Sequence, residues 1–281
     1  MRHVCGAVVL ALLLTPFVDR VSGIGHSPIR SDAKVVAEIL REQRDVVVDG
    51  AREHWRLVWK GKPQPACAPD DGLEDGWLTC PCDGFAFGEQ GDLDLVRLAG
   101  TSPEDRLPLT PSFDPDWVPF GGTAILPRWD VLKEDHAVLG KEASQAQAAR
   151  IRQRPDIRIM NLRDYDHDGR ATEFFVQTAA APCGKRMGIV VGISRDRPVL
   201  HALASALHPE KALVLRVDHW DALARSREPG ARIDWRCGDH GTTEQEELAL
   251  RIDPKGIRVT RLFYQCTATD ARGPLIRTEE Q

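Results

Sequence analysis

The C-terminal part of the chain carries the feature that most limits its possible folds, a strand–turn–strand pattern. Residues 247–252 (ELALRI) place apolar side chains at alternate positions, and a second run of strand-forming residues follows at 257–266 (IRVTRLFYQC). The turn between them, 253–256 (DPKG), has proline second and glycine fourth, which is the preference of a type I turn. The pattern predicts an antiparallel hairpin, and therefore a β-sheet, at this end of the chain.

Short apolar runs separated by turn residues extend this β pattern over most of the chain. The runs that we predict as strands are 54–59, 85–87, 93–98, 174–178, 187–194, 199–203 and 212–217. Repeated prolines at 101–127 exclude long regular elements there. We therefore predict an α+β fold that is mainly antiparallel β and stabilised by disulfides, with one β-rich domain at 54–281 and a proline-rich loop at 101–127.

Besides a short helix that Asp218 can cap at 218–226, two segments have helical rather than strand-like sequences. In the first, Ser31 or Asp32 can cap a helix in which Val35, Val36, Ile39, Leu40 and Val47 share one face. This predicts an N-terminal helical segment within 24–53, ended by Asp49-Gly50. The second segment, 140–153, consists of strong helix formers.

The N-terminus predicts export. Residues 1–23 have a short positive start, an apolar core from Val4 to Val18 and a small-residue exit, the pattern of a signal peptide. The apolar core is shorter than the ~20 residues that span a bilayer, although an uncleaved anchor is the alternative. We expect a secreted or periplasmic protein with no transmembrane segment after cleavage. The net charge of −5 disfavours nucleic acid as a partner, because no sequence-wide positive field is present.

The cysteine count agrees with export. Cys5 lies in the predicted signal peptide, and six cysteines remain: Cys67, Cys80, Cys82, Cys183, Cys237 and Cys266. An even number in an exported chain predicts three disulfides. We expect Cys237 to pair with Cys266, because each ends a predicted strand, 232–237 (RIDWRC) and 257–266 respectively. We expect Cys67 to pair with Cys80 or Cys82, and Cys183 to pair with the other. A zinc site or a redox-active pair at Cys80 and Cys82 are the alternatives.

The most specific motif is the acidic run DYDHDGRATEF at 164–174. Asp164, Asp166 and Asp168 alternate, so their carboxylates can converge on one point of a tight loop, and Gly169 permits the reversal that follows. Three hard oxygen donors at this spacing suit Ca²⁺, and without a cation they repel each other. A solvated acidic turn that binds no ion is the alternative.

The DxDxDG run resembles the calcium loop of EF-hands and of the FG-GAP and VCBS repeats of β-propellers. The resemblance implies side-chain ligation by Asp164, Asp166 and Asp168, with the carbonyl of Arg170 as a further ligand. The twelfth loop position, a glutamate in EF-hands, is Phe175 here, and Glu173 stands at the tenth. The ligand set within 164–173 is therefore predicted as Asp164, Asp166, Asp168, Arg170 and Glu173, with either Thr172 or Glu173 completing it. The flanking residues favour strands, so we expect a calcium loop between strands, and one loop alone does not predict a propeller.

No catalytic motif is evident in the sequence, which leaves the catalytic residues unknown. The HExxH, GxSxG, P-loop and GxGxxG patterns are all lacking. The sequence favours a non-enzymatic binding or structural protein with one structural calcium ion, whose partner is an extracellular protein or a glycan. One alternative is a secreted hydrolase with an acid–base or metal site near Asp239 and His240. Another is a carbohydrate-binding module that exposes some of its seven tryptophans, which more commonly fill cores.

Overall fold

A computed structural model describes residues 37–67, 85–100, 104–113, 122–130, 146, 148–181 and 185–281. The predicted signal peptide, the first part of the predicted helical segment, and Cys80, Cys82 and Cys183 lie outside these residues. The described part is mainly antiparallel β-sheet, as the sequence predicts. Within it, no helix has the length and apolar character needed to cross a membrane.

The strands are numbered in chain order. They are β1 (Glu38–Val48), β2 (Ala51–Lys60), β3 (Gln64–Ala66), β4 (Phe85–Gly91), β5 (Leu93–Leu98), β6 (Asp105–Pro108), β7 (Ala124–Asp130), β8 (Glu173–Ala181), β9 (Lys185–Gly192), β10 (His201–Ala202), β11 (Leu215–Arg216), β12 (Gly230–Trp235), β13 (Glu244–Asp253), β14 (Gly256–Cys266) and β15 (Arg272–Glu280). The α-helix α1 (Val217–Leu223) follows β11 directly. Short 3-10 helices cover Thr110–Ser112 and Asp239–Gly241.

The strands of the described residues form four sheets. The first has the order β1-β2-β5-β6, and the second has the order β3-β4-β7. In the third, β8 pairs with β9, while β10 and β11 also pair with β9. The fourth is a meander of β12, β13, β14 and β15. The neighbouring runs predicted on either side of residues 88–91 are both strands, but β4 and β5 belong to different sheets.

The predicted N-terminal helix is wrong over residues 38–48, which form strand β1. Asp49 and Gly50 both have positive φ, at 49° and 84°, and they connect Val48 to its partner Ala51. A two-residue Asp-Gly connection with positive φ at both positions is the type I′ hairpin turn, so the dipeptide starts a hairpin rather than ending a helix. The strand then buries Val46 and Val48 and exposes Val47, an alternation that the three identical residues do not display in the sequence.

The second predicted helix is supported within its described residues, because residues 148–151 are helical. Ala148 and Ile151 of this segment are buried and pack with Phe87 in a small apolar cluster.

Strand β9 joins the two main apolar cores. Its run Ile189, Val190 and Val191 is wholly buried. Ile189 and Val191 belong to a core shared with Trp55 and Trp59 of β2. Val190 points to a second core, which contains Trp220 of α1. A strand that is covered on both faces needs a continuous apolar run instead of an alternating one, which explains this sequence.

The C-terminal hairpin is confirmed. Strands β13 and β14 pair from Glu244 opposite Gln265 to Asp253 opposite Gly256. The predicted Cys237–Cys266 disulfide is also present, with the two Cα atoms 5.5 Å apart. Cys67 is disulfide-bonded as well, and its partner lies outside the described residues.

Candidate metal centre

The acidic loop lies between strands, not between helices. Two backbone hydrogen bonds join the two ends of the loop. The Arg163 N–H donates to the Glu173 carbonyl at 2.8 Å, and the Glu173 N–H donates to the Arg163 carbonyl at 3.2 Å. Glu173 is also the first residue of β8 and stands opposite Gly192 of β9. The sheet therefore determines where the end of the loop lies.

Carboxylate–backbone hydrogen bonds shape the interior of the loop. The two oxygens of Asp164 accept from the N–H groups of Asp168 and Gly169, each at 3.0 Å. Asp166 Oδ1 also accepts from the Asp168 N–H, at 3.1 Å. Gly169 has a φ of 92°, a left-handed conformation that glycine adopts without strain, as the sharp reversal requires.

Three acidic side chains converge at the centre of this loop. Asp164, Asp166 and Glu173 each direct a carboxylate oxygen to a common point, and these three oxygens lie within 4.8 Å of one another. Asp164 and Asp166 are half-buried, whereas Glu173 is completely buried. The Glu173 carboxylate accepts from the Thr172 hydroxyl at 2.6 Å and from the Tyr165 N–H at 2.9 Å. We call these three residues the acidic cluster.

The acidic cluster has an excess of negative charge. Burial raises the pKa of Glu173 to about 8; the Thr172 hydrogen bond opposes this rise and the charge of Asp166 adds to it. The pKa of Asp166 is also raised, chiefly by burial and also by Asp168 and Asp164, against the effect of a hydrogen bond from Ser194. A bound divalent cation would supply the missing positive charge.

Two of the predicted ligands have other side-chain partners. Asp168 Oδ2 accepts from Arg170 Nη2 at 3.0 Å and from the Arg195 backbone N–H at 2.6 Å. The guanidinium of Arg170 also pairs with Asp49 at 3.0 Å. The structure thus brings Asp164, Asp166 and Glu173 together, while Asp168 connects the loop to the segment after β9.

Sequence reasoning missed Ser194 as a neighbour of the acidic cluster. Ser194 follows β9, and the pairing of β9 with β8 brings it to Asp166. No local pattern could have shown this contact, because the two residues are far apart in the chain.

The alternative site near Asp239 and His240 has a different character. Asp239 lies beside a cavity of about 530 Å³, and its carboxylate pairs with Lys185 Nζ at 3.3 Å. A hydrogen bond from the Arg236 N–H lowers the pKa of Asp239, and Lys185 lowers it further. A carboxylate held ionised in this way is a weak base, and the side chain of His240 lies outside the described residues.

The described tryptophans mostly fill the interior. Trp55, Trp59 and Trp220 are buried. Trp129 packs edge-on against Phe87, and Lys185 Nζ lies 3.2 Å from the ring centroid of Trp235. The three buried rings cannot form a glycan-binding platform, which weakens that alternative; Trp77 and Trp117 are outside the described residues.

The chain matches no family model, no curated protein and no solved structure.

Proposed function

We propose that this chain is an exported, disulfide-stabilised protein that binds one calcium ion through Asp164, Asp166 and Glu173. The observation that carries the proposal is the completely buried Glu173 carboxylate, which converges with two further carboxylates in one closed loop. Burying a carboxylate among like charges is costly unless a cation or a proton neutralises it.

The donor set favours calcium over a transition metal. All three groups are hard carboxylate oxygens, which suit Ca²⁺ or Mg²⁺, and no histidine or cysteine takes part. Calcium accepts irregular arrangements of six to eight oxygens, whereas magnesium demands a near-ideal octahedron. Backbone carbonyls of the loop and water would complete the shell.

The Cys237–Cys266 disulfide supports the compartment part of the proposal, because disulfides persist in oxidising environments outside the cytosol. There the ion would have a structural role, since Glu173 begins β8 and its position therefore connects the loop to the third sheet. Extracellular calcium modules bind with dissociation constants of about 10⁻⁴–10⁻³ M.

Calcium titration of a Glu173→Gln variant tests the proposal. In the ion-free protein at pH 7, the raised pKa keeps Glu173 protonated, so glutamine mimics its neutral state and the variant is expected to fold. At 10 mM Ca²⁺ we expect the Tm of the unmodified protein to rise by on the order of 5 °C and that of Glu173→Gln to stay constant.

Glu210→Gln is the matched control, because Glu210 is exposed and lies outside the acidic cluster. It should keep the full calcium response. Identical Tm values for the unmodified protein with calcium and with EDTA would refute calcium binding, and an equal rise with magnesium would assign the site to divalent cations in general.

A further inference from the structure

A second cluster of reactive side chains lies beside the acidic loop and is not required for calcium binding. Ser194 follows β9, and His201 is the first residue of β10. Ser194 Oγ lies 3.3 Å from His201 Nε2. This distance is slightly above the 2.6–3.2 Å of a formed catalytic hydrogen bond, as is common when no substrate is bound.

The second ring nitrogen of His201 determines which tautomer the ring adopts. Nδ1 lies 2.8 Å from the backbone carbonyl of Val199, and a carbonyl oxygen can only accept. Nδ1 therefore carries the hydrogen, and Nε2 presents its lone pair to the Ser194 hydroxyl. This is the arrangement of a base beside a nucleophile, with a third group orienting the base.

His201 is also kept neutral. It is only 7% exposed, and burial lowers its pKa. The charge of Arg197 lowers the pKa further, whereas the hydrogen bond to Val199 and the charge of Asp105 raise it. A neutral imidazole at physiological pH can accept the serine proton. Because the positive charge of Arg197 acts on His201, it can also act on a substrate group bound beside His201.

Several contacts hold the segment that carries Ser194. Ser194 and Arg197 exchange two backbone hydrogen bonds of 3.1 Å, which makes a tight turn. The Arg195 N–H is bound to Asp168, and the Leu200 N–H donates to Asp105 at 2.7 Å. A pair held by backbone contacts is pre-organised, which is a requirement of a catalytic site.

Both side chains line one cavity of about 580 Å³. Apolar residues that include Leu203, Ile252 and Ile257 form part of its wall. The carboxylates of Asp166, Asp168, Asp196 and Asp253 line it as well, and so do the cations Arg195, Arg197 and Lys255. Among the residues that the structure describes, these three cations have no ion-pair partner. The volume is that of a small-molecule site, with an apolar part for a hydrocarbon group and positive charge for an oxyanion.

We propose that Ser194 and His201 form a nucleophile–base pair that hydrolyses carboxylic esters with a small apolar acyl group. Ser194 Oγ bonds to the carbonyl carbon while its proton passes to His201 Nε2, and Arg197 stabilises the resulting oxyanion. The bond to the alcohol oxygen then breaks, and the alcohol leaves with the proton from Nε2. Water then bonds to the acyl carbon while one of its protons passes to His201 Nε2. The bond from that carbon to Ser194 Oγ breaks, the acid leaves, and Nε2 returns the proton to Oγ.

The Ser194 hydroxyl has a second acceptor in Asp166, whose pKa its hydrogen bond lowers. The two acceptors compete for the same proton, so the experiment includes calcium and EDTA conditions. The proposal requires reaction at Ser194 in at least one of them, and it does not depend on calcium binding.

Covalent labelling of the full chain tests the pair. We expect an alkyl fluorophosphonate, which modifies nucleophilic serines, to add one equivalent that peptide mass spectrometry locates at Ser194, and p-nitrophenyl butyrate to be turned over. Ser194→Ala should abolish both, and His201→Gln should lower both by at least about 100-fold. Ser226→Ala, a serine outside the cavity, should react like the unmodified protein.

Two further results separate this proposal from the calcium site. Asp164→Asn, whose carboxylate accepts from the N–H groups of Asp168 and Gly169, should lose the calcium-dependent rise in Tm and keep the labelling, while His201→Gln should keep the calcium response. The proposal is overturned if folded protein, checked by circular dichroism, shows no adduct at Ser194 with or without calcium. It is also overturned if Ser194→Ala turns over the ester at the unmodified rate.

Discussion

At the scale of single residues, His219 has an unusual environment. It lies in α1 and is completely buried, and neither ring nitrogen has a hydrogen-bond partner. Asp234 lies close to it, with Oδ1 3.8 Å from His219 Nδ1. Burial lowers the pKa of His219, and it outweighs the opposing charges of Asp234 and Asp218. The folded protein therefore holds this imidazole in its neutral form.

We predict that His219 makes the fold sensitive to acid. Below pH 6.5 the unfolded chain binds a proton at this histidine and the folded chain does not. The contribution of neutral His219 to the free energy of unfolding is therefore complete above pH 6.5. It is lost as the pH falls through the lowered pKa that His219 has in the folded protein. The slope from one such group is at most about 1.4 kcal/mol per pH unit. Urea denaturation from pH 7.5 to 5 should show a shallower loss for His219→Phe.

His208→Phe is the control for this measurement, because the His208 side chain is exposed. It should follow the unmodified protein at every pH. If His219→Phe lost stability with the same slope as the unmodified protein, the acid sensitivity would have another origin.

At the scale of elements, the close contact of β8 and β9 positions the acidic cluster. A Cβ atom on Gly192 would lie 2.1 Å from the Thr172 carbonyl oxygen and 2.8 Å from the Cα of Glu173. Only glycine allows the strands to approach this closely, because both obstructing groups are backbone. The position of Glu173 thus depends on a residue that carries no side chain.

We predict that Gly192→Ala damages the fold and the calcium response together. Backbone displacement of this kind costs about 1–3 kcal/mol, which should lower the Tm by several degrees, and the displaced Glu173 should weaken calcium binding. Calorimetric titration of the variant with calcium measures the second effect.

Gly91→Ala provides the comparison, since its Cβ would meet a Trp59 ring atom at 3.3 Å and would lie 3.7 Å from the nearest backbone atom. This variant should bind calcium as the unmodified protein does. Unchanged calcium affinity in Gly192→Ala would show that the strand contact does not position the cluster.

At the scale of the whole molecule, the Cys237–Cys266 disulfide closes a segment of the chain around β13 and β14. The two cysteines are separated by 29 residues, and for a loop of this length the chain-entropy account gives about 3–4 kcal/mol of stabilisation. We predict that the double variant Cys237→Ser, Cys266→Ser loses about that amount in urea denaturation.

Reductant provides the internal check on this prediction. The double variant should remain sensitive to reductant through the disulfide of Cys67, and the reduced unmodified protein should match the reduced variant. A double variant as stable as the unmodified protein would show that strand pairing alone holds this sheet.

Local patterns determined those parts of the protein that depend on neighbours in the chain. The alternation in β13 and β14 with the turn 253–256 was sufficient to predict their hairpin, and strand ends at Cys237 and Cys266 predicted the disulfide. The alternating aspartates likewise located an acidic loop. Each of these features results from side-chain period or turn chemistry over a few residues, which the sequence displays directly.

Only the tertiary structure decided between local alternatives and brought distant groups together. Residues 38–48 carry apolar side chains compatible with a helix, and the partner strand β2 makes them a strand. The carboxylate of Asp168 accepts a hydrogen bond from the Arg195 N–H, and Glu173 joins the acidic cluster in its place. Both contacts arise because the β8–β9 register brings these segments together. Ser194 and His201 likewise meet through the turn after β9. Burial and hydrogen bonding across a sheet join residues that are distant in the chain, so no local pattern contains these contacts.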